Sequence, residues 1–78
     1  MKIEEVFGKV LREIRLEKKF SQEELAHICG LDRTYISLME RGKRKPTINT
    51  IFALASGLNV LPSSLVLATE ELFELSSL

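Results

Sequence analysis

Apolar residues recur three and four positions apart in every long stretch of this chain, and they nowhere alternate over a useful length. An α-helix turns once in about 3.6 residues, so that spacing gathers apolar side chains onto one face; a strand, with a period of two, would scatter them over both. Only helices can bury such a pattern. The first instance is Ile3, Val6, Phe7, Val10, Leu11 and Ile14. Gly8 lowers its helix propensity only slightly. The segment is expected to end near Lys18-Lys19, whose charges suit the negative end of the helix dipole.

Local stop and start signals divide the rest. Ser21-Gln22-Glu23-Glu24 has the form of a capping box, with Phe20 and Leu25 placed as a hydrophobic staple, and it opens a second helix over about 22–29 that stops at Gly30. Asp32 caps a third, running to about Glu40–Arg41 and stopping at Gly42. Lys43-Arg44-Lys45-Pro46 follows as a basic loop, because proline disfavours helix before it. Thr47 caps a fourth helix carrying Ile48, Ile51, Phe52, Leu54, Ala55 and Leu58, with Gly57 near its end. Pro62 suits the first turn of a fifth. Leu61, Leu65, Ala68, Leu72 and Leu75 then form a seam, which fits either one long helix or a short helix and a folded tail. The expected architecture is all-α, five short helices in a single domain over 1–78, without internal repeats or low-complexity segments.

With 78 residues, 45% of them apolar, the chain can close one small core. Its single cysteine, Cys29, rules out a disulfide framework and fits a reducing, cytoplasmic setting. No apolar run approaches the roughly 20 residues of a membrane span. The opening Met-Lys-Ile-Glu-Glu carries charge where a signal peptide would be apolar, so a soluble, unprocessed chain is expected. The formal net charge is zero, yet it is unevenly spread. All 11 basic residues lie within 1–50, while 51–78 hold only the acids Glu70, Glu71 and Glu74. Residues 33–45 alone carry a net +4. A local patch of that kind attracts phosphates, because charges beyond a Debye length of about 8–10 Å are screened.

The second and third segments meet across Cys29-Gly30-Leu31. Counted from Gln22, position five is Ala26, nine is Gly30 and fifteen is Ile36, while Leu25, Cys29, Leu31 and Met39 are apolar at four, eight, ten and eighteen. Two helices crossing at about 90–120° need just this: a small residue at the crossing, a flexible one in the turn and apolar residues toward a shared core. Residues 9–60, and above all QEELAHICGLDRTYISLMERG at 22–42, resemble the lambda-repressor-like, XRE-type helix-turn-helix DNA-binding domains. Leu31-Asp32-Arg33-Thr34-Tyr35-Ile36-Ser37 and Glu40-Arg41 most resemble the controller proteins of restriction-modification systems, small dimeric regulators of their own operon.

At about 100° per residue, Tyr35, Ile36 and Met39 share one face of the third helix, and Arg33, Thr34, Ser37 and Arg41 the opposite one. A helix so divided can bury one side and lay the other in a major groove. Arg33, at the leading end, can fork onto guanine O6 and N7; Thr34 and Ser37 offer hydroxyls. Tyr35 is half core on geometry, whereas the resemblance implies a role at DNA; both readings stand at this level. Gln22 begins the second helix, where free amides and the positive dipole end favour a phosphate, and the resemblance implies that it clamps the DNA backbone. Lys43, Arg44 and Lys45 are expected to meet phosphates, with Arg41 or Arg44 a candidate for a minor groove. The resemblance also implies a semi-buried salt bridge between Arg15 and Glu40.

His27 is expected on the surface and Cys29 as a buried thiol; their spacing makes no zinc site, and no cofactor or small-molecule ligand is indicated. No nucleophile–base set or phosphate loop is present, so an enzyme is not expected. One module covers too few base pairs for useful specificity, and the resemblance implies a homodimer on a palindromic site. Residues 61–78 hold no positive charge, and Leu61, Leu65, Val66, Leu72, Phe73, Leu75 and Leu78 are expected to form the dimer contact; the alternative is that they close the monomer's own core. The expected function is a sequence-specific transcriptional regulator that binds a double-stranded operator, and the resemblance implies an autoregulatory controller of a restriction-modification operon, with RNA polymerase a candidate second partner. The alternatives are a phage-type repressor, or an antitoxin-type module that holds a protein partner on its acidic, apolar C-terminal end.

Overall fold

The computed structural model, described over residues 1–77, contains five helices: α1 (Ile3–Glu17), α2 (Gln22–Cys29), α3 (Arg33–Glu40), α4 (Ile48–Leu58) and α5 (Pro62–Ser76). Among those residues there is no strand. Leu78 lies outside the described residues.

Helix starts follow from local chemistry. The Glu24 amide donates to Ser21 Oγ at 3.0 Å, and the Ser21 amide donates to Glu24 Oε1 at 2.9 Å, so two otherwise unpaired amides are satisfied reciprocally. The Thr34 amide donates to Asp32 Oδ1 at 2.8 Å, and the Thr50 amide to Thr47 Oγ1 at 3.1 Å. Pro62 begins α5, where its missing amide costs nothing. Gly30 and Gly42 end α2 and α3 at φ +69° and +73°. The stops after α1 and α4 use Lys19 and Asn59 instead, at φ +63° and +59°. The seam after Pro62 is one continuous helix of 15 residues.

α1 packs against α3 and α5, α2 against α3 and α4, and α4 against α5. Leu11, Leu25, Ile36, Met39, Leu54 and Leu58 are buried between them. α4 and α5 meet at 106°. No single helix among the described residues is long and apolar enough to cross a membrane.

The structure departs from the expected dimer contact at Leu65, which is 0% exposed and belongs to the protomer's own core. It points into the angle between α5 and its neighbours and is unavailable to a second chain. Leu72 is half-buried, while Leu61, Val66, Phe73 and Leu75 are exposed. Two apolar residues of α4, Ile48 at 66% and Phe52 at 57%, also face outward. Cys29 is half-buried rather than buried, its thiol set against Gly57.

Candidate nucleic-acid interface

α3 divides as its amphipathic pattern requires. Ile36 and Met39 are wholly buried, while Arg33 and Thr34 are exposed at its leading end and Ser37 is half-exposed one turn on. The turn that delivers α3 is short. The Leu31 amide donates to Ala26 O at 2.9 Å and the Gly30 amide to His27 O at 3.3 Å, closing the end of α2 three residues before α3 begins. The structure therefore brings Gln22 alongside α3, and Gln22, Arg33, Thr34 and Ser37 line one shallow concavity. A row of donors on a convex helix, bordered by a second helix's N-terminus, has the shape and polarity to meet groove edges and an adjoining phosphate.

An ion-pair network fixes that arrangement. Arg15 Nε donates to Glu40 Oε2 at 2.6 Å and Arg15 Nη2 to Glu40 Oε1 at 2.9 Å, a two-point fork. Arg15 Nη1 donates to the Phe20 carbonyl at 2.9 Å, and Gln22 Nε2 donates to Glu40 Oε1 at 3.1 Å. The side chain of Glu40 is only 4% exposed. One buried carboxylate thus ties α1 and the first residue of α2 to the end of α3, and the Arg15 guanidinium adds the α1–α2 turn. The hydrogen bond from Arg15 to Glu40 raises the guanidinium pKa above its ordinary value, outweighing the opposite effect of burial. No buried side-chain polar atom among the described residues lacks a partner. The Gln22–Glu40 bond was not foreseen, since it joins residues 18 apart in sequence.

Arg41, Lys43, Arg44 and Lys45 are all exposed around the loop that leaves α3. Tyr35 lies on the α4 side of α3, half-buried, with its hydroxyl within hydrogen-bond distance of Lys45 O (3.3 Å) and Thr50 Oγ1 (3.2 Å). The Arg44 guanidinium sits 5.1 Å from the Tyr35 ring centroid. His27 is exposed, and no group of three His, Cys, Asp or Glu side chains among the described residues could hold a metal ion. Burial raises the pKa of the Cys29 thiol.

A helix-turn-helix family model matches residues 11–65. The control protein C.BamHI of Bacillus amyloliquefaciens is 45% identical over 62 residues, which cover 78% of this chain and 76% of that protein. Among solved structures, the restriction-modification controller protein C.AhdI from Aeromonas hydrophila superposes with a TM-score of 0.78 at 44% identity, over 80% of this chain and 94% of its own. The controller protein C.Esp1396I, solved as a tetramer in complex with its natural 35 base-pair operator, superposes with a TM-score of 0.82 at 35% identity, over 91% of this chain and 93% of its own.

Proposed function

This chain belongs to the XRE-type helix-turn-helix family of DNA-binding regulators, and from that premise we propose that it is a sequence-specific transcriptional regulator, an autoregulatory controller of a restriction-modification operon. It works from the cytoplasm and binds a palindromic operator as a homodimer. The observation that carries this reading is the division of α3: Ile36 and Met39 anchor one face with no exposure, and Arg33, Thr34 and Ser37 stand free on the other beside Gln22.

Mechanistically, α3 enters the major groove with Arg33 at its leading end. The guanidinium accepts no hydrogen bond and has five donors in a plane, so it favours guanine, whose O6 and N7 are adjacent acceptors. Thr34 and Ser37 contribute hydroxyl contacts. Gln22 turns its remaining amide hydrogen and its main-chain N–H toward a phosphate at the N-terminus of α2. Arg41, Lys43, Arg44 and Lys45 add phosphate contacts, which raise affinity on any sequence. The acidic residues Glu70, Glu71 and Glu74 keep α5 off the DNA. Its exposed apolar residues, together with Ile48 and Phe52, support the homodimer reading, and a groove lined by Ile48, Phe52, Pro62, Val66 and Leu67 offers the seat for a second copy.

Selection of duplexes from a random pool would supply the operator. On the selected duplex Arg33→Ala should weaken binding by roughly 10- to 100-fold while leaving a shuffled duplex almost unaffected, as loss of a forked base contact requires. Lys43→Ala should weaken both duplexes alike and lower the salt slope by about 0.9. Retention of full selectivity by Arg33→Ala would reject the assigned reading face.

A further inference from the structure

The segment Arg44–Pro46 carries two of the proposed phosphate-binding cations, yet its backbone is almost untethered. Main-chain pairing stops at Lys43, whose amide donates to Leu38 O at 2.9 Å, and resumes at Ile51, whose amide donates to Thr47 O at 3.0 Å. Among the described residues, the one hydrogen bond that reaches the backbone of 44–46 comes from the Tyr35 hydroxyl, to the carbonyl of Lys45 at 3.3 Å.

Proton counting sets the direction of everything behind that bond. A carbonyl accepts only, so the single Tyr35 hydroxyl proton goes to Lys45 O. Thr50 Oγ1, 3.2 Å away, must then donate to the Tyr35 oxygen. Thr47 Oγ1, at 2.9 Å, donates in turn to Thr50 Oγ1 while accepting from the Thr50 amide at 3.1 Å. The chain of hydroxyls runs one way, from the cap of α4 through buried Thr50 to the loop, with no proton used twice. The ring of the same tyrosine holds the other side of the loop, because the Arg44 guanidinium lies within cation–π range at 5.1 Å. One half-buried side chain of α3 therefore grips both a loop carbonyl and a loop cation.

We infer, resting on the reading that the chain binds DNA, that Tyr35 is a positioning residue: it presets Arg44 and Lys45 for phosphate contact through the hydroxyl chain, and its own hydroxyl does not read a base. An untethered loop would have to be ordered at the moment of binding, and that entropy would be subtracted from the affinity. A tethered one meets the backbone already in place. Such a device acts on every sequence equally, since phosphates carry no base information.

Two variants test it. Tyr35→Phe removes the hydroxyl and keeps the ring under Arg44. Thr50→Val removes the inner anchor at a buried position that DNA cannot touch. Both should weaken binding by the same factor, roughly three- to tenfold, on the duplex selected by wild-type protein and on a shuffled duplex of equal length, leaving their ratio unchanged. The double variant should lose no more than either single one. In the free protein, ¹⁵N order parameters of Arg44 and Lys45 should fall in both variants toward the flexible range, below about 0.6, with the helices unaltered. A loss confined to the selected duplex in Tyr35→Phe, with Thr50→Val silent, would make Tyr35 a base reader and overturn the inference. Unchanged loop order would overturn it too. Were wild-type protein to bind neither duplex, the proposed function would fall, and the relaxation measurement would still decide whether the tether exists.

Discussion

No side chain fits between Gly8 of α1 and the carbonyl oxygen of Met39 at the end of α3: a β-carbon on Gly8 would collide with that oxygen and would lie 2.7 Å from the Glu40 carbonyl oxygen as well. The contact is backbone against backbone, so neither partner can swing aside. It sets how closely α1 approaches α3, and so where Arg15 meets Glu40.

Gly8→Ala should therefore destabilise, although helix propensity alone favours alanine by up to about 1 kcal/mol. Forcing a methyl group into a packed contact costs about 1–3 kcal/mol. For a domain of this size each kcal/mol moves Tm by about 4–8 °C, so a clear drop in a thermal melt followed by circular dichroism is expected. A rise in Tm would mean that α1 and α3 can separate without penalty.

The Arg15–Glu40 pair makes a sharper distinction. Arg15→Met leaves the Glu40 carboxylate buried with only Gln22 for a partner, and breaking a buried pair from one side costs about 3–5 kcal/mol. Arg15→Met combined with Glu40→Leu removes both charges and should recover much of that loss, because the desolvation of the pair disappears with it. Urea titration of the two variants measures the difference directly. DNA binding should not recover alongside stability, since Gln22 has lost the acceptor that orients it.

The starts of α2, α3, α4 and α5 were legible in the sequence because Ser21, Asp32 and Thr47 accept from amides within three residues of themselves, and Pro62 fits the first helical position through its fixed φ and missing N–H. The same holds for the division of α3, which depends only on helical period. What escaped was set by distant parts of the chain. Lys19 and Asn59 adopt positive φ without glycine, and the turns they make lead Phe20 and Val60 back onto the core. Gly57 is small because the Cys29 thiol occupies the place of its β-carbon, a contact between helices 28 residues apart. Helical period sets Leu65 and Val66 on different sides of α5, but only the packing of α5 against α1 and α4 settles that the Leu65 side faces the protomer's own core rather than a second chain. At the candidate interface, Arg33, Thr34 and Ser37 could be grouped by period, whereas the Gln22–Glu40 and Tyr35–Lys45 bonds exist only once the helices have packed.

The capping box of α2 gives a pH-dependent contribution. Hydrogen bonds from the Ser21 amide and the Ser21 side chain hold the Glu24 carboxyl below its ordinary value of 4.5. A carboxylate with a depressed pKa in the folded state adds stability that is present above its unfolded value and is lost as pH falls through the folded one. Glu24→Gln keeps a hydrogen-bonding side chain but carries no charge. Its Tm should be lower than that of wild type near pH 7, and the gap should close as the solution is acidified below about 4.5. A gap independent of pH would mean the charge contributes nothing.

Val66 and Leu65 are neighbours on α5 with opposite surroundings, one exposed and one wholly buried. Val66 is 48% exposed in the protomer and lines the groove with Phe52 and Pro62, so a charge there costs little before association. If the proposed dimer seats its second copy in this groove, Val66→Glu would bury unpaired charge on both sides beside Glu70. Sedimentation velocity should show a monomer whose melting temperature, at a concentration where wild type is also dissociated, is unchanged. Binding to a palindromic duplex should fall steeply, because two half-sites no longer engage together. Leu65→Ala should behave oppositely, losing about 2–5 kcal/mol of protomer stability through the cavity it leaves, with no selective effect on association. A Val66→Glu protein that remained dimeric would move the contact away from the α4–α5 face, to the exposed end of α5 around Leu75.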